Sequence, residues 1–280
     1  MIKCFLYIDI LGFSRMVQEQ SWKINKIFQI IDELNIYNHY AFKTIVFSDT
    51  ILIFNEQNNY PNHYFVTFLI EFAQNLFYKL LPIGVYFKGL ITYGEFNFEQ
   101  KKHIQAYWGN ALIETYNNEK NIKGFGLFIN KKLSDDVITF DKLTNIDDKY
   151  DFILLCQSYI NLYKNTQGKL PINIETLTQT DEYMNIDEDL RFFRELKYIK
   201  DNYPDKKIID KYSTVYMWYS NYTSSLFKQL ENDDFLPFAL NPNYMGKIYP
   251  FDIIAEKELQ NKKQQSDHIS FINKTKQHIN

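Results

Sequence analysis

Apolar residues recur along the first 135 positions in two rhythms, one of alternation and one of helical spacing. Residues 3–9, KCFLYID, are rich in β-formers and end at a turn, which predicts a strand. Over residues 13–34, Ile24, Ile27, Phe28 and Ile31 fall at i, i+3, i+4 and i+7, the spacing of a helix face. The stretch AFKTIVFSDTILIF, residues 41–54, reads as two strands broken at Ser48-Asp49, a hairpin with an acid at its tip. Helical spacing returns over 62–81, where Phe65, Phe68, Leu69, Phe72, Leu76 and Leu80 line one face and Pro82 ends the run. Residues 83–98 predict a strand whose glycines at 84, 89 and 94 suggest a bulge or a close backbone approach. A helix opened by Gly109-Asn110 follows over 108–121, then a strand over 124–130 and a short helix. The order β-α-β-β-α-β-α-β contains an adjacent strand pair, which argues against a doubly wound parallel sheet. Its first six elements, βαββαβ, predict an α+β, ferredoxin-like arrangement with helices on one face of an antiparallel sheet.

The pattern changes after residue 145. Residues 150–165 and 186–232 are mostly helical in spacing, with Leu190, Phe193, Leu196, Tyr198 and Ile199 forming part of a stripe. Pro204-Asp205 caps a further helix that runs through YSTVYMWYSNY. The expected organisation is a first domain over 1–140, a helical extension packed on it over 141–256, and a loose polar tail over 257–280. Net charge is -3, from 31 basic and 34 acidic residues, which gives no electrostatic case for nucleic acid or an anionic membrane. Cys4 and Cys156 lie far apart without metal-type spacing and read as buried reduced thiols, fitting a reducing cytoplasm. The opening MIKCFLYIDILGF lacks a small-residue cleavage site and reads as a strand, not a signal peptide. No apolar run reaches the roughly 18 residues of a membrane span. The five histidines are scattered, and the acidic runs Asp135-Asp136 and Asp187-Glu188-Asp189 read as solvated helix-start charge.

Two acids change the picture. Asp9 ends the first strand and Asp49 sits at the hairpin tip. In βαββαβ topology these strands are neighbours, about 5 Å apart, so both carboxylates reach one space. Alone, Asp9 reads better as a helix cap and Asp49 as a turn residue. Together they repel unless a cation neutralises them. Two divalent ions about 4 Å apart would bind there, Mg²⁺ or Mn²⁺ rather than Zn²⁺. Beside them ILGFS turns into a helix, where the amides of Leu11, Gly12 and Phe13 would face phosphate oxygens. Metals and an amide nest describe a nucleoside triphosphate site.

The stretches FLYIDILGFS, FSDTILIF, FKGLITYGE and YWGNALIETY occur in an order and rough spacing that resemble the class III nucleotidyl cyclases, in particular the bacterial pyrimidine cyclases of Pycsar antiphage systems. The resemblance covers about residues 3–135. It implies that Asp9 and Asp49 bind two metal ions, with the Ile10 carbonyl as a further ligand, and that Leu11, Gly12 and Phe13 bind the triphosphate. Lys88 matches a position that is usually Arg in the pyrimidine enzymes, a candidate for phosphate or transition-state charge. As a point charge it lacks the guanidinium fork. Ile45 and Ala106 stand where adenylate cyclases place a Lys and an Asp that read adenine, so both contacts are missing. Phe47 matches an aromatic that contacts uracil, and a ring there would narrow the pocket toward a pyrimidine. Ile113 and Asn117 stand where the purine enzymes use Asn and Arg on the helix after WG. With the Arg absent, Lys88 and Asn117 are the candidate substitutes. Read without the resemblance, Lys88 serves equally as solvated charge, Phe47 equally as core, and Asn117 better as a merely polar residue.

The family likeness further implies a head-to-tail homodimer whose active sites draw on both chains. The expected reaction converts UTP or CTP to the 3′,5′-cyclic monophosphate and pyrophosphate. The product would act on a separate effector protein as an alarm signal during phage infection. Two alternatives are a catalytically weak or inactive cyclase-like module for nucleotide binding or dimerisation, and a purine cyclase with other base contacts.

Overall fold

A computed structural model describes residues 2–34, 41–57 and 59–247 of the chain. The polar tail expected over 257–280 lies outside the described residues. In chain order the elements begin with β1 (Ile2–Ile10), α1 (Phe13–Glu19), α2 (Ser21–Glu33), β2 (Phe42–Phe47), β3 (Thr50–Asn55), α3 (Asn62–Leu80) and β4 (Phe87–Glu95). The hairpin β5 (Asn97–Gln100) and β6 (Gln105–Trp108) follows, then α4 (Asn110–Glu119), β7 (Gly126–Asn130), β8 (Lys142–Leu143) and β9 (Tyr150–Ile153). Helices α5 (Gln157–Thr166), α6 (Ile174–Gln179), α7 (Ile186–Asn202), α8 (Lys206–Tyr222) and α9 (Ser224–Asn232) complete the described chain.

The main sheet runs β2-β3-β1-β4-β7-β9-β8, with β5-β6 as a separate ribbon. Its pairs are antiparallel except β4 with β7. The first four strands have the order expected of βαββαβ, so the fold is α+β with a mainly antiparallel sheet. Alternation along β1 divides its two faces. Cys4, Leu6, Ile8 and Ile10 join the large core with α2 and α3, where Ile27, Ile31, Leu69 and Leu76 are buried. Phe5 and Tyr7 join a smaller cluster with Phe54, Phe96 and Ala111, roofed by α4 and the ribbon. Asp9 continues that second row.

Four details differ from the expectation. The helical stretch 13–34 is two helices, broken at Gln20, whose non-helical backbone (φ -142°, ψ 50°) closes α1 by donating to the Met16 carbonyl. The strand expected over 83–98 starts at Phe87 and breaks at Phe96, which packs on Phe5 and Phe54 at centroid distances of 5.4 and 4.8 Å. Residues 142–143 and 150–153, read as connection and helix, are strands that carry the sheet beyond residue 140. A run of four apolar-rich residues holds too little periodicity to separate strand from helix. The acidic run 187–189 is not solvated at all three positions, since Asp187 and Asp189 are buried at 4% and 0% exposure. The glycine expectation holds at Gly94, where a Cβ would stand 2.8 Å from the Ala111 Cβ. That position is where α4 presses against β4.

Candidate active site

Asp9 stands at the end of β1, where the row Phe5, Tyr7, Asp9 passes from apolar to charged. Register places Asp9 opposite Thr50 on one side and opposite Lys88 on the other. Asp49 precedes Thr50 in the two-residue connection of the β2-β3 hairpin, with Ser48 in the left-handed region at φ 55°. The Asp49 carbonyl accepts the Ile10 N–H at 2.9 Å, which ties the hairpin tip to the end of β1. The two acids are thereby joined at adjacent backbone positions, as the topology argument expects. The Asp9 carboxyl is half-buried and pushed up to about 6, by burial first and then by the charges of Glu119 and Asp49. Lys88 and Lys211 oppose that rise. Tyr7, beside them, meets the Thr50 side chain and is raised to about 12, chiefly by burial.

Lys88 is 2% exposed, so it is neither a solvated charge nor a free one. Its ammonium donates to the carbonyls of Glu119 and Ile122 at 2.9 and 3.0 Å and pairs with the Glu119 carboxylate at 3.1 Å. Burial lowers its pKa, and Glu119 opposes that. Glu119 closes α4, and α4 reaches this point because Ala111 meets Gly94 and Thr115 meets Thr92 along β4.

Other expected site residues spread around this centre. Gly12, with φ 72°, makes the turn from β1 into α1. The expectation that all three amides of Leu11, Gly12 and Phe13 face outward is corrected at Leu11, whose N–H donates to the Tyr86 carbonyl at 2.9 Å. The turn must satisfy this donor inside the fold because Leu11 is itself packed on the core. Ile10 is buried at 2% exposure and supplies backbone only. Phe47 is 80% exposed at the end of β2, which excludes the plain-core reading. Asn117 is exposed on α4, beside the exposed Ile113 and Tyr116. Ile45 and Ala106 are half-buried on β2 and β6. Sequence reading missed Glu119, Tyr7 and Lys211. Only Tyr7 carried a signal, its even spacing from Asp9.

No family model matches the chain, and no curated protein matches it. Solved structures do. A bacterial light-regulated adenylyl cyclase aligns at 14% identity and a TM-score of 0.41, over 60% of this chain and 98% of that one. The adenylyl cyclase CyaB from P. aeruginosa aligns at 11% identity and 0.40, over 55% and 93%. A class III adenylyl cyclase-like ATP-binding protein from Pseudomonas aeruginosa aligns at 13% identity and 0.37, over 50% and 35%. At such scores the likeness carries no weight for activity, and the α+β class rests on the strand order of this chain.

Among the described residues no three or more His, Cys, Asp or Glu side chains form a metal cage. The donor set at hand is two carboxylates, of which Asp9 is raised by burial first and then by the charges of Glu119 and Asp49. That set fits Mg²⁺ or Mn²⁺, which keep waters and complete their shells with substrate phosphates. No described helix is long and apolar enough to cross a membrane.

Proposed function

We propose that the chain is a nucleotidyl cyclase acting on a pyrimidine nucleoside triphosphate, UTP before CTP. The observation that carries this reading is the junction of Asp9, at the end of β1, with Asp49 at the β2-β3 tip, where the Asp9 carboxylate is disfavoured by burial and then by the charges of Glu119 and Asp49, a cost that a cation would relieve. In the reaction the 3′-hydroxyl gives up its proton to solvent and its oxygen bonds to the α-phosphorus, the bond from that phosphorus to the oxygen bridging to the β-phosphorus breaks, and pyrophosphate leaves with that electron pair. Divalent ions on Asp9 and Asp49 would supply Lewis acidity to both oxygens. The Gly12-Phe13 turn would orient the triphosphate, and the exposed Phe47 ring would offer a face to the base. Ile45 and Ala106 present no polar group to a purine edge, which supports the pyrimidine preference. The exposed Trp108, Ile113 and Tyr116 would be covered by a second copy, with each site completed across that interface. The cyclic product would signal to a separate effector, as in the antiphage systems that the sequence resembles. Incubation with each of the four NTPs and Mn²⁺, followed by mass spectrometry, tests the reading. Cyclic UMP or cyclic CMP is the expected product, and cyclic AMP alone refutes the pyrimidine preference.

Two observations favour a second reading, that of a cyclase-like binding or dimerisation module. Lys88 is committed to Glu119 and two carbonyls, and the Leu11 amide to Tyr86. Asp49→Ala discriminates. A cyclase loses turnover, while a module keeps nucleotide binding and assembly.

A further inference from the structure

A cleft of about 750 Å³ opens between α8 and the connection from α4 to β7, on the Lys88 side of Asp9. Its volume is that of a small-molecule site. Lys88 forms its floor, and Lys120, Lys123 and Lys211 stand around it against Glu119 and Asp210. Glu119 is already paired with Lys88, and the Lys120 ammonium rests on the Tyr116 hydroxyl at 3.0 Å. Lys123 and Lys211 are exposed, and neither makes an ion pair or hydrogen bond among the described residues. A concave wall with surplus ammonium groups focuses a positive potential into the cleft. The chemistry that fits is a polyanion, and compact ammonium groups on flexible stems suit phosphate oxygens.

The position of Lys211 is set by the fold rather than by a loose loop. One turn further along α8, Val215, Tyr216, Trp218 and Tyr219 are buried, and Trp218 packs on Phe152 with centroids 4.6 Å apart. The Thr214 hydroxyl donates to the Asp210 carbonyl at 2.7 Å within the same turn. The cleft also adjoins the site already described, because Lys88 lines it and is the cross-strand neighbour of Asp9.

We propose that α8 delivers Lys211 to the nucleotide site, and that this cleft receives the far end of the polyphosphate that the Gly12-Phe13 turn orients. The proposal rests on the cyclase reading and gives the helical region after the sheet a role in substrate binding. Lys211 supplies from that region a cation that the α4 position of Asn117 does not.

Titration calorimetry of the full chain with inorganic tripolyphosphate, without divalent metal, tests this directly. Lys211→Ala weakens binding about tenfold, the loss of one charge-assisted contact. Lys211→Arg restores it to within about threefold, since the charge is kept. Lys207→Ala, one turn away and outside the cleft, binds as the wild type does. In turnover assays Lys211→Ala raises KM for UTP about tenfold with a smaller change in kcat. A wild-type chain that does not bind tripolyphosphate, or a Lys211→Ala chain that binds it equally well, overturns the proposal. Turnover with a KM unmoved by Lys211→Ala overturns it while the cyclase reading stands. Binding that depends on Lys211 in a chain that cyclises no nucleotide supports the polyphosphate cleft and removes the cyclase reading.

Discussion

Asp9 and Lys88 face each other across β1 and β4, yet each answers to a different partner. Lys88 is held by Glu119 and two carbonyls, while the Asp9 carboxylate is disfavoured by burial first and then by Glu119 and Asp49, against the smaller pull of Lys88 and Lys211. Asp9→Asn removes a carboxylate that burial and its neighbours disfavour, so at pH 7 the variant should melt at a higher temperature than the wild type. On the metal reading Mn²⁺ should raise the melting temperature of the wild type and leave that of the variant unmoved, a pair of results readable in one scanning-fluorimetry series. Lys88→Met has the opposite sign. It leaves two carbonyls and a largely buried carboxylate without their donor, and should cost about 3 kcal/mol in urea unfolding.

At the scale of elements, the contact of α4 with β4 decides where Glu119 ends. Gly94→Val places branched carbon against Ala111, where even a Cβ would approach to 2.8 Å. The expected loss is about 1–3 kcal/mol, measured by urea unfolding, because the helix must lift from the sheet. Helix α7 holds a second buried acid. Asp189 accepts the Tyr159 N–H at 2.8 Å and the Tyr78 hydroxyl at 2.9 Å, and burial pushes its pKa up to about 8. The folded chain therefore binds a proton that the unfolded chain releases between about pH 4 and 8. This group's contribution to stability is greatest below pH 4 and falls as pH rises, by up to about 1.4 kcal/mol per unit. Asp189→Asn should flatten that slope in unfolding curves taken from pH 5 to 8.

For the whole molecule, α4 and β6 present exposed apolar residues on one surface each. Ile113, Tyr116 and Trp108 are 61%, 50% and 48% exposed. If the site is shared between two copies, Ile113→Glu should shift sedimentation from dimer to monomer and abolish turnover without lowering the melting temperature. The strands β8 and β9 extend the sheet, and α5 to α9 pack beyond them. The helical region shares one core with the βαββαβ unit: Phe192 of α7 meets Phe77 of α3, with centroids 5.0 Å apart.

The chain's own alternation and helical spacing determined the βαββαβ unit, and with it the adjacency of the Asp9 and Asp49 backbones. Both follow from local periodicity and from the adjacency that this topology imposes on β1 and β3. The same local signals could not say that Tyr150–Ile153 is a strand, because four residues carry no period long enough to read. Nor could they say that Asp189 is buried, since a charge in a sequence looks alike in solvent and in a core. Glu119 and Lys211 came to Lys88 only through the packing of α4 and α8, contacts between residues 31 and 123 positions apart. Such partners are chosen by tertiary structure because nothing along the chain encodes the distance between them in space.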